Sequence, residues 1–168
     1  MPDVTASACL APTYSANRRS SSAALGPVVG ELAARLGGGH DAELCAAAVG
    51  VDLNELAIAA AFGDEIPADA LRSDEIVGGA CVRFLVSPEG TVSAVDGLER
   101  AEDSDGVVWV RVYREPGDES RPLRQGSDRA GAVLAVGESR KQAVARGRRA
   151  ARRVRFRVVE NRAPVEIA

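Results

Sequence analysis

An α+β fold, with mostly antiparallel strands and with helices on one face of the sheet, is predicted by three features of the sequence. Residues 107–113 are β-branched and aromatic almost throughout, which is typical of a strand. Ser139 and Gln142 have the spacing of a helix capping box, and apolar residues at helical spacing follow them. Short apolar segments, separated by glycine- or proline-containing turns, predict further strands at residues 28–33, 80–86, 91–95, 130–136 and 154–159.

Two more helices are predicted from residues that commonly begin and end helices. Asp41 is expected to cap the first, and Gly50 is expected to end it. Asp52 is expected to cap the second, which ends at Gly63. Polar, turn-rich surface connections are predicted at residues 64–74 and 115–129.

The composition is that of an ordinary globular protein, with 46% apolar and 27% charged residues. No apolar run approaches the roughly 18 residues needed to cross a bilayer, and residues 1–25 lack the apolar region of a secretory signal. We therefore expect a cytoplasmic protein without a membrane partner. Three cysteines and one histidine are too few for a disulfide framework or a multi-histidine metal site. Cys45 and Cys81 are expected to be buried as small apolar residues.

Seven arginines lie between residues 146 and 157, and this run has two interpretations. A basic surface could bind nucleic acid or phosphate. The net charge of the chain is −3, however, and Phe156 is the only aromatic residue nearby that could stack on a base. We favour a solvated face balanced by acids, and we expect no nucleic-acid partner. The acids are Glu99, Glu102, Asp103 and Asp105.

The segment most informative for chemistry begins in the first predicted strand. Alternate residues of a strand share a face, so Glu31, Ala33 and Arg35 are expected to point the same way, with successive positions roughly 7 Å apart. The Glu31 carboxylate could hold Mg²⁺, a cation that prefers oxygen ligands. The Arg35 guanidinium could bind a phosphate or carboxylate through two parallel hydrogen bonds.

Three glycines, Gly37, Gly38 and Gly39, follow this strand and would allow backbone N–H groups to approach an anion. The same pattern also fits a strand that ends in an exposed salt bridge before a flexible turn, and the residues alone leave both interpretations open. His40 beside Asp41 could form a catalytic pair. No serine or cysteine nucleophile accompanies them at a recognisable turn, so a loop role for His40 and a capping role for Asp41 are favoured.

Two other groups of residues are candidates for a site. Trp109 and Tyr113 alternate with Arg111 on one predicted strand and are expected to pack on the sheet. Asp128 and Arg129 could form a pair that faces a substrate. A local salt bridge within the turn explains them equally well.

A run of fourteen residues from Glu31 reads Glu-Leu-Ala-Ala-Arg-Leu-Gly-Gly-Gly-His-Asp-Ala-Glu-Leu, and Gly-Val-Asp-Leu follows from Gly50. With these motifs, residues 28–63 resemble the end of an ATP-grasp domain. The resemblance is to ligases of the L-amino-acid ligase and carnosine synthase type, which are relatives of biotin carboxylase.

The later part of the chain resembles the small C-terminal domain of the same ligases. The similar pieces include the Asp-Arg-Ala-Gly turn at Asp128 and the helix start at Ser139, within residues 78–156. The resemblance implies three regions: a non-homologous or disordered start, the end of an ATP-grasp domain, and a small α+β domain. Their expected bounds are residues 1–25, 26–75 and 76–168.

The resemblance also implies roles for individual residues. In the family, a Glu-x-Asn-x-Arg strand supplies a metal-bridging glutamate, an asparagine ligand and an arginine that contacts the reacting acyl phosphate. Glu31 and Arg35 match this motif, whereas Ala33 stands at the asparagine position and weakens the metal role. A second metal-binding glutamate is expected twelve positions before the first, where this sequence has Arg19. The lysines that hold nucleotide phosphates and the N-terminal substrate-binding domain have no counterpart in this sequence.

The function implied by the resemblance is that of the C-terminal part of an ATP- and Mg²⁺-dependent carboxylate–amine ligase. ATP, a carboxylate and an amine would be its substrates, and a separate N-terminal half would be its partner. We expect no ATP turnover by this chain alone. The alternative is a free-standing, non-catalytic module that uses the same fold to bind a partner or a small anion. The coding region just upstream would discriminate between them, since the ligase interpretation requires it to encode the second glutamate and a lysine-containing nucleotide hinge.

Overall fold

The computed structural model describes residues 35–71 and 78–159. The predicted strand at residues 28–33, including Glu31, lies outside the described residues, as does the predicted start at residues 1–25. The described elements, in chain order, are α1 (Asp41–Val49), α2 (Leu53–Phe62), β1 (Gly79–Leu85), β2 (Gly90–Asp96), α3 (Leu98–Glu102), β3 (Val107–Val112), β4 (Glu119–Ser120), a 3₁₀ turn (Gly126–Asp128), β5 (Gly131–Gly137), α4 (Arg140–Ala151) and β6 (Arg155–Val159).

The strands form two three-stranded sheets, and every pairing in them is antiparallel. The first sheet has the order β1-β5-β3, and the second has the order β4-β2-β6. Helices accompany these sheets, so the predicted α+β class is confirmed. The predicted strands at residues 80–86, 91–95, 107–113, 130–136 and 154–159 all agree with observed strands to within one or two residues.

The first sheet is covered on both faces, because successive side chains of a strand point to opposite sides. On one face, Val133 of β5 packs with Ala101 of α3 and Ala150 of α4. On the other face, Leu134 of β5 packs with Leu44 of α1. Helices α3 and α4 therefore share one face of the sheet, whereas α1 covers the opposite face, so the prediction that the helices all lie on one face is wrong for α1.

The helix ends differ in part from the prediction. Helix α1 begins at Asp41 itself, and His40 occupies the N-cap without a side-chain capping bond, so the predicted capping role of Asp41 is wrong. The predicted cap of α2 is confirmed, because the Asp52 carboxylate accepts from the backbone N–H groups of Asn54 and Glu55. Gly50 and Gly63 end the two helices in left-handed conformations, as expected.

Half of the predicted capping box of α4 is formed. The Ser139 hydroxyl accepts from the backbone N–H of Gln142 at 3.3 Å. The Gln142 side chain accepts from the backbone N–H of Glu138, at 2.6 Å, instead of from that of Ser139. The start of the helix is therefore fixed by two side chains that reach different backbone groups.

Strand β3 contains an irregularity that determines which side chains face α1. The pairing with β5 shifts between Val107 and Trp109, and the extra residue, Val108, is exposed. Beyond this bulge the odd-numbered residues Trp109, Arg111 and Tyr113 point toward the face that α1 covers. Because of the bulge, the side chains of Trp109, Arg111 and Tyr113 face the loop that precedes α1.

None of the helices in residues 35–71 and 78–159 has by itself the length and apolar character to cross a bilayer. Helices α1 and α2 have that length and apolar character only when they are taken together, and their axes are bent by 116° relative to each other.

Candidate functional site

The candidate site lies where the glycine loop enters α1 and meets the first sheet. His40, at the end of this loop, lies among three aromatic rings, one from β1, one from β3 and one from the residue that follows β3. Its ring centroid is 4.9 Å from that of Trp109, 6.1 Å from that of Tyr113 and 6.3 Å from that of Phe84. We call His40, Glu43, Phe84, Trp109, Arg111 and Tyr113 the His40 cluster.

Both ring nitrogens of His40 have hydrogen-bond partners. Nδ1 lies 3.0 Å from Oε1 of Glu43, and Nε2 contacts the hydroxyl of Tyr113. An ionised carboxylate can only accept, so this network assigns the proton to Nδ1 and makes Nε2 the acceptor of the Tyr113 O–H in the neutral imidazole. The loop is therefore bonded to a residue 73 positions later in the chain.

His40 has an unusual backbone conformation, with φ of 71° and ψ of 28°. The left-handed region is uncommon for residues other than glycine and costs roughly 1–2 kcal/mol. Gly39, with φ of 73°, precedes it in the same region. The contacts of the imidazole ring offset this cost and hold the chain in a sharp bend just before α1.

Arg111 extends the cluster on its exposed side. Its Nη1 donates to Oε1 of Glu43 at 2.9 Å, and its guanidinium lies 4.4 Å from the ring centroid of Trp109. The Glu43 carboxylate thus accepts from both His40 and Arg111. Half-exposed ion pairs of this kind each contribute modestly, and their joint effect is to fix the position of one carboxylate.

The surroundings shift the pKa values of three groups. For Glu43, partial burial acts to raise the pKa, but hydrogen bonds from His40, its own backbone N–H and Arg111 outweigh it and leave the pKa below the ordinary value. Burial, which outweighs the opposing effect of Arg111, raises the pKa of Tyr113. Burial, followed by repulsion from Glu43, raises the pKa of Asp41.

These shifts predict a pH dependence of stability with a definite sign. Because the folded-state pKa of Glu43 is depressed, its contribution is fully present above its ordinary pKa of 4.5 and is lost as the pH falls through the depressed value. Asp41 acts in the opposite sense, since a raised pKa means that protonation favours the folded state. We expect Glu43→Gln to reduce the loss of stability between about pH 5 and about pH 3, as measured by urea unfolding.

The matched control is Glu99→Gln, which makes the same change on the exposed face of α3. The control should retain the acid sensitivity of the wild-type chain. A Glu43→Gln curve that loses stability as steeply as the control would contradict the assignment.

The predicted site residues of the loop have different environments. Arg35 is exposed and is not part of a described strand, and its Nη1 donates to the carbonyl of Leu36 at 2.9 Å. The position of a Cβ on Gly37 is occupied by the carboxylate of Asp41, whereas Gly38 faces open space. The loop therefore presents an anion-repelling side at Gly37 and an open backbone at Gly38.

Arg129 approaches the same loop from the turn before β5. A Cβ built on Gly39 would lie 3.2 Å from Nη1 of Arg129 and 3.3 Å from Cζ of Phe84. The Arg129 guanidinium stacks on Phe84, with Cζ 3.6 Å from the ring centroid. Glycine at position 39 thus serves both the left-handed backbone and the close approach of this pair.

Asp128 does not accompany Arg129 to the loop. Its Oδ2 accepts from the backbone N–H groups of Arg124 and Gln125, at 2.9 Å and 2.8 Å, and these bonds lower its pKa. The side chains of Asp128 and Arg129 therefore lie in different places. Asp128 bonds to the backbone of its own turn, whereas Arg129 faces Gly39. No salt bridge between them is among the contacts of the described residues.

Three of the seven arginines in the basic run between residues 146 and 157 have local partners. Arg146 forms a salt bridge with Asp105 at 2.6 Å, and Arg157 forms one with Asp96 at 2.7 Å. Arg153 donates to the hydroxyl of Ser104 at 2.9 Å. These contacts favour the interpretation of the run as a structural, solvated surface.

Residues 35–71 and 78–159 contain no group of three histidine, cysteine, aspartate or glutamate side chains that could hold a metal ion. Glu31, the predicted Mg²⁺ ligand, lies outside this part of the chain. Its metal role stays a prediction.

Three solved structures share this fold. They are phosphoribosylglycinamide synthetase from Anaerococcus prevotii (TM-score 0.66, 15% identity), L-amino acid ligase from Bacillus licheniformis (0.64, 21%) and N5-carboxyaminoimidazole ribonucleotide synthetase from Thermotoga maritima (0.52, 21%). The similar regions cover 79%, 76% and 72% of this chain and 34%, 31% and 31% of the respective structures. The chain thus has the fold of the C-terminal part of an ATP-grasp ligase, as the sequence predicted.

Part of the chain also matches a known family in sequence. Residues 83–159 match the family described as L-amino acid ligase C-terminal domain 2. An uncharacterised protein, y4rH, from Sinorhizobium fredii is 36% identical over 122 residues, which represent 71% of this chain and 24% of that protein. The chain spans about a quarter to a third of the length of these relatives.

Proposed function

We propose that this chain provides the C-terminal portion of an ATP- and Mg²⁺-dependent ligase that joins a carboxylate to an amine through an acyl phosphate, in the cytoplasm. The observation that carries the proposal is the attachment of the predicted anion-binding loop to the family domain. His40 bonds to Tyr113, the residue that follows β3, and the Cβ position of Gly39 lies 3.3 Å from Phe84 of β1. A loop fixed in this way is suited to bind a substrate without reorganising.

The loop residues would have distinct roles in the ligase. Arg35 is exposed, so its guanidinium is accessible to stabilise the negative charge of an acyl phosphate. Gly38 and Gly39 would direct backbone N–H groups at the same anion. Gly37 is the least suited of the three glycines, because the Asp41 carboxylate lies beside it. Mg²⁺, held in part by Glu31, would neutralise phosphate charge in the complete enzyme.

The chain alone is expected not to turn over ATP. The sequence offers Glu31 without the second metal-binding glutamate, and it has a single lysine, Lys141, which lies at the start of α4. One carboxylate is a poor Mg²⁺ site, because affinity rises with the number and preorganisation of the ligands. We therefore expect ADP release with mixed amino acids and Mg²⁺ to equal that of a Glu31→Ala control. Turnover above this control would contradict the expectation.

The alternative proposal, a non-catalytic binding module, predicts a different result in a second assay. The chain would be mixed with the protein encoded immediately upstream, and ADP release would be measured as each amino acid is added. The ligase proposal expects release that depends on both components and on an amine acceptor. Without such release, but with stable association of the two proteins, the binding module would be the better account.

A further inference from the structure

The glycine loop has a cationic neighbour that the sequence motif did not include. The Arg129 guanidinium lies beside Gly39 and is stacked on Phe84 at 3.6 Å. The aromatic ring shields one face of the guanidinium from water and leaves its donor edges available. Arg129 is only partly exposed, and its stacking on Phe84 packs the guanidinium against the protein before any ligand binds.

Arg129 has no charged partner among residues 35–71 and 78–159, in contrast to the other arginine of this face. Arg111 is paired with the Glu43 carboxylate at 2.9 Å. The nearest acid in sequence, Asp128, is bonded to the backbone of its own turn. A partly buried guanidinium with no carboxylate partner in the described part of the chain is well placed to bind an external anion.

We propose that Arg129 and the backbone of Gly38 and Gly39 form an oxyanion subsite, which takes the phosphate or the carboxylate group of a substrate. Gly38 is exposed on the solvent side of the loop, and the Cβ position of Gly39 lies 3.2 Å from Nη1 of Arg129. The His40 cluster fixes the loop relative to Phe84, so both sides of the subsite are anchored to the same sheet. This inference rests on the proposed function for the identity of the anion, but the binding itself can be tested on the chain alone.

The test is a titration of the full, ¹⁵N-labelled chain with inorganic phosphate and, separately, with acetate, followed by NMR. The amide signals of Gly38 and Gly39 should shift in a saturable manner with at least one of the two ions. Arg129→Gln should raise the apparent Kd at least about tenfold, because a charge-assisted hydrogen bond is removed. A preference for phosphate or for acetate would identify which substrate group the subsite takes.

The matched control is Arg149→Gln, which makes the same change of charge on the exposed side of α4, beyond the opposite face of the sheet. It should change the Kd by less than about twofold, since distant surface charges are screened. Arg129→Lys keeps the charge but loses the planar fork, and it should bind with intermediate strength. Thermal unfolding of each variant verifies that the domain is folded, and the lysine variant keeps the test valid if the glutamine variant does not fold.

The inference is overturned if neither ion shifts the loop amides, or if Arg129→Gln and Arg149→Gln bind equally well. Failure of the proposed function would give a different result. The chain would still bind the anion in an Arg129-dependent manner, but the two-component assay would release no ADP from ATP. The two failures can therefore be told apart.

Discussion

Replacing Leu134 with alanine is expected to lower the free energy of unfolding by about 3 kcal/mol. Leu134 is 2% exposed on the central strand β5, and it packs with Leu44 and Val82 beneath α1. Truncation would leave a cavity between the sheet and the helix that follows the glycine loop. The loss should therefore appear in both global stability, measured by denaturant unfolding, and the protection of the α1 amides against hydrogen exchange.

The matched control for this substitution is Leu123→Ala. Leu123 is 47% exposed in the connection between β4 and β5, so the same chemical change should cost less than about 0.5 kcal/mol. Equal effects of the two substitutions would show that α1 does not depend on the sheet for its position.

Replacing His40 with alanine is expected to cost about 2 kcal/mol. The substitution removes the hydrogen bonds to Glu43 and Tyr113 and leaves the positive φ of this position uncompensated. The release of the loop should also be visible as faster exchange of the Gly39 amide. Denaturant unfolding at neutral pH measures the energetic part of this prediction.

A double-mutant cycle with Tyr113→Phe isolates the contact between the loop and β3. This substitution removes only the hydroxyl that contacts Nε2 of His40. The two residues should show a coupling energy of at least about 0.5 kcal/mol. Additive effects within error would mean that the contact between the imidazole and the hydroxyl does not hold the loop.

The sequence was sufficient to predict most of the first sheet and its helix. Strands β1, β3 and β5 are long segments of apolar or β-branched residues. Such segments favour a strand over a helix or a turn, so the sequence was enough to place them. Helix α4 combines a serine cap with small apolar residues at helical spacing, and its buried residues, Ala143, Gly147 and Ala150, have this spacing.

Helix α3 was missed because it has only five residues, Leu98–Glu102, too few to display a period. Tertiary contacts support it: Ala101 is fully buried against the sheet, and Gly97 precedes it with φ of 80° next to the carbonyl of Arg153. Any side chain at position 97 would overlap this carbonyl. A glycine followed by an apolar residue at the end of a strand was the available signal, and it is a weak one.

The partners in the site could not be predicted, because they are distant in sequence. His40 and Tyr113 are separated by 73 positions, and Gly39 and Arg129 come together only because β1, β3 and β5 form one sheet. The alternation of Trp109, Arg111 and Tyr113 did indicate a shared face, but not what would cover it. The roles of Glu31 and Arg35 remain predictions that depend on the family resemblance.

The most direct test of the central claim, that this chain supplies part of an ATP-grasp ligase site, is the two-component ADP-release assay carried out with Arg35→Ala. With the wild-type chain and the upstream-encoded protein, we predict ADP release that requires an amine acceptor and falls at least about a hundredfold in Arg35→Ala, since a donor to the developing charge is lost. Arg149→Ala, the equivalent change on α4, should leave the rate unchanged. Equal rates for the wild-type chain and Arg35→Ala would contradict the account.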